Sequence, residues 1–92
     1  MSEQPDISEV IADAVLATTG VAGLHGGMFG EAATYLPGRR VSGIRIDERG
    51  TEVHVTLLIG NPIRETADAV RAAVAPLSEG PVHVVVEDVV RA

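Results

Sequence analysis

The sequence contains no cysteine, no lysine and no tryptophan, and its aromatic side chains are limited to Phe29 and Tyr35. Without cysteine there is neither a disulfide nor a thiolate metal ligand, so a reducing, cytoplasmic environment is favoured. Without lysine the phosphate loop GxxxxGK[ST] is impossible, and no GxGxxG fingerprint opens a helix after a strand. Nucleotide cofactors are therefore not expected.

Positive charge is also scarce. Seven arginines against thirteen acids give a net charge of −6, which repels phosphate backbones and anionic membrane surfaces at long range. No stretch approaches the roughly 18 apolar residues of a membrane span, and the acidic N-terminus does not resemble a secretory signal. We therefore expect neither nucleic acid binding nor direct membrane insertion.

The length predicts one small domain covering residues 1–92. A domain of this size buries only about 60–65% of the surface that its unfolded chain exposes. With so few aromatic residues, its core must consist of Val, Ile, Leu and Ala, and association adds the stability that such a core lacks. We expect self-association or a docked partner.

Periodicity predicts two helices. After a tail at residues 1–5, Asp6 and Glu9 form a capping-box-like start, and Gly20 is placed to end the first helix. Its predicted buried stripe comprises Ile7, Val10, Ile11, Ala14 and Val15. The second helix has Asn61 as its predicted cap and Pro62 as its first residue, and it ends near Ala75, because Pro76 disfavours helical geometry there. Its predicted stripe comprises Ile63, Ala67, Val70 and Val74.

Three segments read as strands. Residues 41–47 (VSGIRID) and 51–59 (TEVHVTLLI) alternate apolar and polar side chains, and the turn residues at 47–50 predict an antiparallel hairpin in which Gly50 has a positive φ. Residues 81–90 (PVHVVVEDVV) are valine-rich on both faces, which predicts the best covered strand of the three.

The predicted fold class is therefore α+β, with element order α-β-β-α-β. A crossover connection places the third strand beside the first, which gives a three-stranded mixed sheet of order 2-1-3 with both helices on one face. The predicted outer face comprises Arg45, Glu52, His54, Thr56, Leu58, His83, Val85, Glu87 and Val89.

A glycine-rich segment at residues 20–40 is predicted as a loop between the first helix and the first strand. Its bulky apolar residues either fold back over the small core or are presented to another chain. Together with two residues of the outer face they form the candidate partner-binding set: Leu24, Met28, Phe29, Tyr35, Leu36, Leu58 and Val85. Arg39 and Arg40 read as solvated side chains, with contact to acids of a second copy as the alternative.

The same segment contains two GxxG tetrads, at 23–26 and 27–30. GxxG clamps the nucleic acid backbone in KH domains, so a KH-like nucleic-acid-binding module is the alternative function. A KH clamp, however, lies between two helices and near basic residues, whereas residues 20–38 carry Glu31 and no arginine. A loop is the simpler interpretation.

No pattern predicts catalysis. The three histidines, His25, His54 and His83, form no HxH or HxxxH pair, and in the predicted strand order a strand separates His54 from His83. Scattered histidines in a small acidic protein are usually surface residues. We therefore expect no enzyme activity, no catalytic or cofactor-binding residues and no metal site.

Three passages nevertheless resemble one family. TTGVAGLHGG follows the first helix, VHVTLLIGNPIRETADAVRAAV runs through Gly60 and Pro62 into the second, and the chain ends in PVHVVVEDVV. These passages are similar to the alkaline shock protein family of Gram-positive bacteria. The resemblance implies a non-enzymatic, self-associating cytoplasmic protein of the envelope stress response and cell-envelope homeostasis. It further implies protein–protein contacts near the inner membrane face, with an anchoring protein as partner.

Overall fold

The computed structural model describes residues 4–91, so the first three residues of the predicted tail lie outside the described residues. Residues 4 and 5 precede the first helix without regular structure. The elements in chain order are α1 (Ile7–Leu16), β1 (Val21–Leu24), β2 (Ala33–Leu36), β3 (Arg39–Ser42), β4 (Ile44–Asp47), β5 (Gly50–Leu58), α2 (Ile63–Val74), a 3₁₀ turn (Ala75–Leu77) and β6 (Val82–Val90). The α+β class is confirmed, with more strands than the sequence predicted.

Helix α1 begins with the predicted capping box. The Asp6 carboxylate accepts a hydrogen bond from the Ser8 amide, and the Glu9 carboxylate accepts one from the Asp6 amide, each at 3.0 Å. The buried face comprises Ser8, Ile11, Ala12 and Val15. Ile7 was predicted to be buried, but it is 46% exposed because the packed face begins one residue later.

Helix α2 begins directly after Pro62 and ends at Val74, with Pro76 in the following 3₁₀ turn. The end agrees with the proline-based prediction, but the start lies one residue later than predicted: Pro62 is the N-cap rather than the first helical residue, and no side chain caps the helix. Val70 and Val74 are fully buried, whereas Ile63, which was predicted to be part of the stripe, is 51% exposed. The first residue of α2 therefore lies outside the core, whereas Thr66 in the same turn is buried.

The sheet is centred on β5. Strand β6 runs parallel along one edge of β5, while β1 and β4 run antiparallel along the other edge, end to end. The predicted order 2-1-3 in a three-stranded sheet is wrong, because the segment at 41–47 does not lie between the other two. Its sheet-forming part, β4, has four residues and cannot match nine-residue β6, whereas β5 pairs with β6 along its whole length.

The hairpin between β4 and β5 is confirmed. Asp47 pairs with Gly50 across the turn, and Gly50 has φ +126°. The glycine-rich segment, by contrast, is not the loop that was predicted: it contains β1 and β2, and the second of these pairs antiparallel with β3 in a separate two-stranded sheet. Strands of four residues show too few alternations to be recognised, and β1 also carries an irregular register between Val21 and Gly23.

One core holds these elements together. Residues from both helices pack there with alternate residues of β5, so the helices share one face of the sheet. The fully buried members are Val15, Ile44, Val53, Val55, Leu57, Val70 and Val74. Strand β6 was predicted to be the best covered, yet Val82, Val84 and Val86 are only half-buried. Within residues 4–91, neither helix is long and apolar enough to span a bilayer.

Candidate functional site

Residues 25–43 form an excursion from the sheet edge, between the end of β1 and the start of β4. The His25 amide donates to the His54 carbonyl at 2.9 Å, and the His54 amide donates to the Gly43 carbonyl at 2.8 Å. One residue in the middle of β5 thus holds the points where the chain leaves the edge and returns to it. The excursion is thereby fixed at its base.

Gly43 is required at the return point. It has φ +85°, and a Cβ on this residue would lie 2.9 Å from both the His54 carbonyl oxygen and the Leu24 Cβ. Residues other than glycine rarely adopt this backbone conformation, and here the His54 carbonyl oxygen also lies close to the position that a Cβ would take. The glycine therefore allows β1 and β4 to share one edge of β5.

The apex of the excursion, residues 27–31, is a hydrogen-bonded turn. The Gly30 amide donates to the Gly27 carbonyl at 3.3 Å, and the Phe29 amide donates to Oε1 of Glu31 at 3.0 Å. Hydrogen bonds from the backbone amides of Glu31 and Phe29 hold the pKa of the Glu31 carboxyl below its usual range. In the GxxG tetrad at 27–30, amides that a KH-type loop would offer to a phosphate are thus already used within the chain: that of Phe29 by the Glu31 carboxylate and that of Gly30 by the Gly27 carbonyl.

Two bulky side chains project from this apex. Met28 is 82% exposed and Phe29 is 89% exposed, although the backbone that carries them is hydrogen-bonded internally. Isolated apolar residues are common on protein surfaces, but two adjacent ones on a fixed turn form a defined apolar projection. This projection is the strongest candidate for a contact with another molecule.

The remaining candidate partner-binding residues are divided between core and surface. Leu24 packs against the core, so this residue folds back, as one of the two interpretations predicted. Leu36 and Leu58 are half-buried. Tyr35 is 69% exposed on β2, and Val85 is 37% exposed on β6. The set therefore does not form one continuous surface around Met28 and Phe29.

Arg39 is not simply solvated. Its guanidinium forms a two-pronged ion pair with the Glu9 carboxylate, with Nε–Oε2 at 2.8 Å and Nη2–Oε1 at 3.1 Å. The pair joins the β2–β3 hairpin to α1. Arg40, its neighbour, is exposed.

His54 is the buried central side chain of a histidine–carboxylate cluster whose two carboxylates are partly exposed. It is 8% exposed, whereas the sequence predicted a surface residue. Its Nδ1 lies 2.7 Å from Oε2 of Glu87, and its Nε2 lies 3.0 Å from Oε1 of Glu52. Both ring nitrogens therefore face a carboxylate.

This geometry favours a charged ring. A neutral imidazole carries one N–H, so one of the two carboxylates would face a lone pair, whereas the imidazolium donates to both. Burial opposes the charge and lowers the pKa of His54, but hydrogen bonds to Glu52 and Glu87 outweigh it and hold the pKa above its ordinary value. In return, the His54 hydrogen bond lowers the pKa of Glu52.

One of these carboxylates lies at a β-bulge in β6. Val55 pairs with Val86, but the next residue, Thr56, pairs with Asp88, so Glu87 is the extra residue. Glu87 lies on the same face as His54, whose ring it contacts. Alternation alone predicted Glu52, His54 and Glu87 on one face, and the missing information was that β5 and β6 are adjacent.

The other histidines do not join this cluster. His83 pairs in register with Glu52 on the neighbouring strand, so the predicted intervening strand is absent, but its side chain is exposed. The Nδ1 of His25 accepts a hydrogen bond from the Gly27 amide at 3.0 Å. Among residues 4–91, no three His, Cys, Asp or Glu side chains converge on a point where a metal ion could be held.

A cleft of about 210 Å³ lies at one end of the domain, between α1, the β4–β5 turn and the 3₁₀ turn. Its apolar walls include Ile11, Ile46 and Leu77. The Ser78 hydroxyl in this cleft is hydrogen-bonded to the Thr51 hydroxyl and to the Gly80 carbonyl, each at 2.8 Å. No histidine lines the cleft to activate that hydroxyl.

Comparison with known proteins gives no relative. No family model, no curated protein and no solved structure matches the chain.

Proposed function

We propose that this protein is a non-enzymatic interaction module that self-associates and contacts another protein through the apex of the excursion. The observation that carries the proposal is the exposure of Met28 and Phe29, at 82% and 89%, on an internally hydrogen-bonded turn. A turn that is already ordered loses little conformational freedom on binding, so the burial of its apolar side chains translates efficiently into affinity.

The absence of a reactive arrangement in the described residues supports a non-enzymatic role. Both nitrogens of His54 are bonded to carboxylates, and neither approaches a hydroxyl nucleophile. The cleft contains hydroxyls without a histidine base. The cellular role that we propose comes from the resemblance to the alkaline shock protein family: a cytoplasmic protein of cell-envelope homeostasis, held near the membrane by an anchoring partner.

The proposal is tested by Phe29→Ala and Met28→Ala, with Leu16→Ala as the matched control. Leu16 is also exposed, at 51%, but it lies on α1 and outside the apex. We expect the apex variants to weaken association by about tenfold, since burial of an aromatic side chain dominates many interfaces. Their thermal midpoints should stay unchanged, because these side chains contribute little to the core.

Association is measured by analytical ultracentrifugation over a concentration series, and stability by thermal unfolding. A lowered midpoint with an unchanged assembly size would show that the apex serves folding rather than binding. Leu16→Ala should leave both quantities unchanged.

A further inference from the structure

The outer edge of β6 has no strand beside it. Within residues 4–91, β5 is the only strand that pairs with β6. The Thr51 amide donates to the Pro81 carbonyl at 2.9 Å and the Ile59 amide donates to the Val90 carbonyl at 2.7 Å, so the shared ladder extends along the whole of β6. Its other edge faces away from the domain.

The alternation of backbone groups identifies what this edge offers. In a strand, the N–H and C=O of one residue point to the same edge, and those of the next residue point to the opposite edge. The bond to Pro81 directs the groups of Pro81, His83 and Val85 toward β5. The groups of Val82, Val84 and Val86 therefore point outward, and an additional strand would satisfy them.

The opposite edge of the sheet is protected from pairing with another strand, because residues of the excursion bond to its backbone groups. At β4 the Thr34 hydroxyl donates to the Ile44 carbonyl at 2.6 Å, and the Ala32 carbonyl accepts from the Gly43 amide at 2.7 Å. Proteins commonly protect exposed strands with proline, lysine or a covering segment. Residues 82–90 contain no proline, lysine or arginine, and their acids and their single bulge lie together at Glu87 and Asp88, which leaves Val82 to Val86 without such protection.

The side chains of β6 indicate which kind of strand would pair with its outer edge. His83, Val85 and Glu87 alternate on the outer face, with the apolar residue between a hydrogen-bond donor and an acid. Such a sequence is self-complementary in an antiparallel pair, because rotation about Val85 brings His83 of one copy opposite Glu87 of the other. A second copy of this chain thus fits both the backbone and the charges of the edge.

We propose that two copies pair antiparallel through β6, about a twofold axis at Val85, so that their sheets become one. Val85 lies opposite Val85, and Val84 lies opposite Val86, which covers valines that are half-buried in the single chain. The His83 ring donates to Glu87 of the other copy, whose Oε1 is not used by His54. The pairing rests on the self-association proposed above, and it adds the edge of β6 to the apex of the excursion as a second contact surface.

Single-cysteine variants test the pairing, since the chain has no cysteine of its own. Residues that face each other without hydrogen bonds have Cα atoms about 4.5 Å apart, within the range of a disulfide. Val85→Cys should therefore form a covalent dimer under mild oxidation, at a rate at least about tenfold above random collision. The measurement is the dimer fraction on a denaturing gel against time.

Two control variants sharpen this result. Ile59→Cys is more exposed, at 59%, but lies on no proposed contact, so it reports random collision. Val84→Cys lies on β6 but faces Val86 of the other copy, so it should cross-link poorly. Equal rates for Val85→Cys and Ile59→Cys would overturn the β6 pairing, and faster cross-linking of Val84→Cys would overturn the axis at Val85.

A charge substitution tests the side-chain pairing independently of cysteine. His83→Glu places two acids opposite each other and should weaken dimerisation by about tenfold, whereas His83→Arg should retain it. Ultracentrifugation of the unmodified chain tests self-association separately from its assignment to β6. Stable self-association without Val85 cross-linking would refute the β6 surface alone, whereas a monomer at all concentrations would refute self-association itself.

Discussion

Along one edge of β5 lie two four-residue strands separated by the excursion, and along the other lies the continuous nine-residue strand β6. On the first edge, His54 bonds to both ends of the excursion, and Thr34 occupies the outward carbonyl of Ile44. On the second edge, the outward groups of β6 have no strand beside them among the described residues. One edge of the sheet is thus covered by the excursion, whereas the other edge, at β6, is open.

This difference shows that valine content does not identify the interior strand. β6 is richer in valine than β5, yet Val53 and Val55 of β5 are fully buried while Val84 and Val86 of β6 are half-buried. A strand with neighbours on both edges is shielded from both sides, whereas an edge strand is shielded from one. An edge strand that is rich in valine has apolar surface left for a partner.

The largest effect should come from the covered edge, where Gly43→Ala adds a Cβ in contact with the His54 carbonyl. We expect a loss of about 3 kcal/mol in the free energy of unfolding, because positive φ and crowding act together. Gly38→Ala is the matched control: its φ is +76°, but its Cβ would meet open space, so the loss should be about 1 kcal/mol. Urea denaturation measures both, and equal losses would show that the approach of β1 to β4 is not close.

The next effect compares the centre of the sheet with its open edge. Val53 and Val84 are partners in register, but only Val53 is fully buried. Val53→Ala should therefore destabilise by about 2 kcal/mol, and Val84→Ala by about half as much. Denaturation is measured at low protein concentration, where β6 remains uncovered. The difference between the losses in unfolding free energy of the two variants should narrow as protein concentration rises, since a second copy would then cover Val84.

The smallest effect concerns the link between β5 and β6 through His54. Because the pKa of His54 is raised above its ordinary 6.5, its contribution to stability is fully present below that pH and is lost as pH rises through the folded-state pKa. The pKa of Glu52 is lowered from 4.5, so its contribution is lost as pH falls through the folded value. Stability should therefore be greatest between these two transitions.

Unfolding free energies of the wild type and of His54→Gln, measured across pH 5 to 9 at intervals of about one unit, check this dependence. In His54→Gln, the free energy of unfolding should no longer decline as pH rises on the alkaline side. His83→Gln removes an exposed histidine and should keep it. An unchanged profile in His54→Gln would mean that the ring does not hold its charge between the two carboxylates.

Much of the local structure could be predicted from the sequence. The capping box of Asp6 and Glu9, the end of α2 before Pro76 and the positive φ of Gly50 each depend on a few neighbouring residues, and all three are present. The histidine–carboxylate cluster around His54 was predictable only in part. Alternation placed Glu52, His54 and Glu87 on one face, but their contact depends on β5 and β6 being adjacent.

The glycine-rich segment shows why the remainder escaped prediction. Its strands have four residues each and are fixed by distant partners: β1 by the far half of β5, and the return at Gly43 by the backbone of His54. Short segments have no periodicity of their own, so their conformation depends on contacts that are distant in sequence. The exposure of Met28 and Phe29 likewise followed from the turn that Glu31 holds.

The sequence by itself determined the α+β class, the presence of both helices, the start of α1, the end of α2 and the β4–β5 hairpin, because caps, prolines and turn residues act over a few positions. The tertiary structure decided which strand is central, which edge is covered and which histidine is buried. Those features depend on matching strand lengths and on backbone hydrogen bonds between residues far apart in the chain, and no local pattern records them.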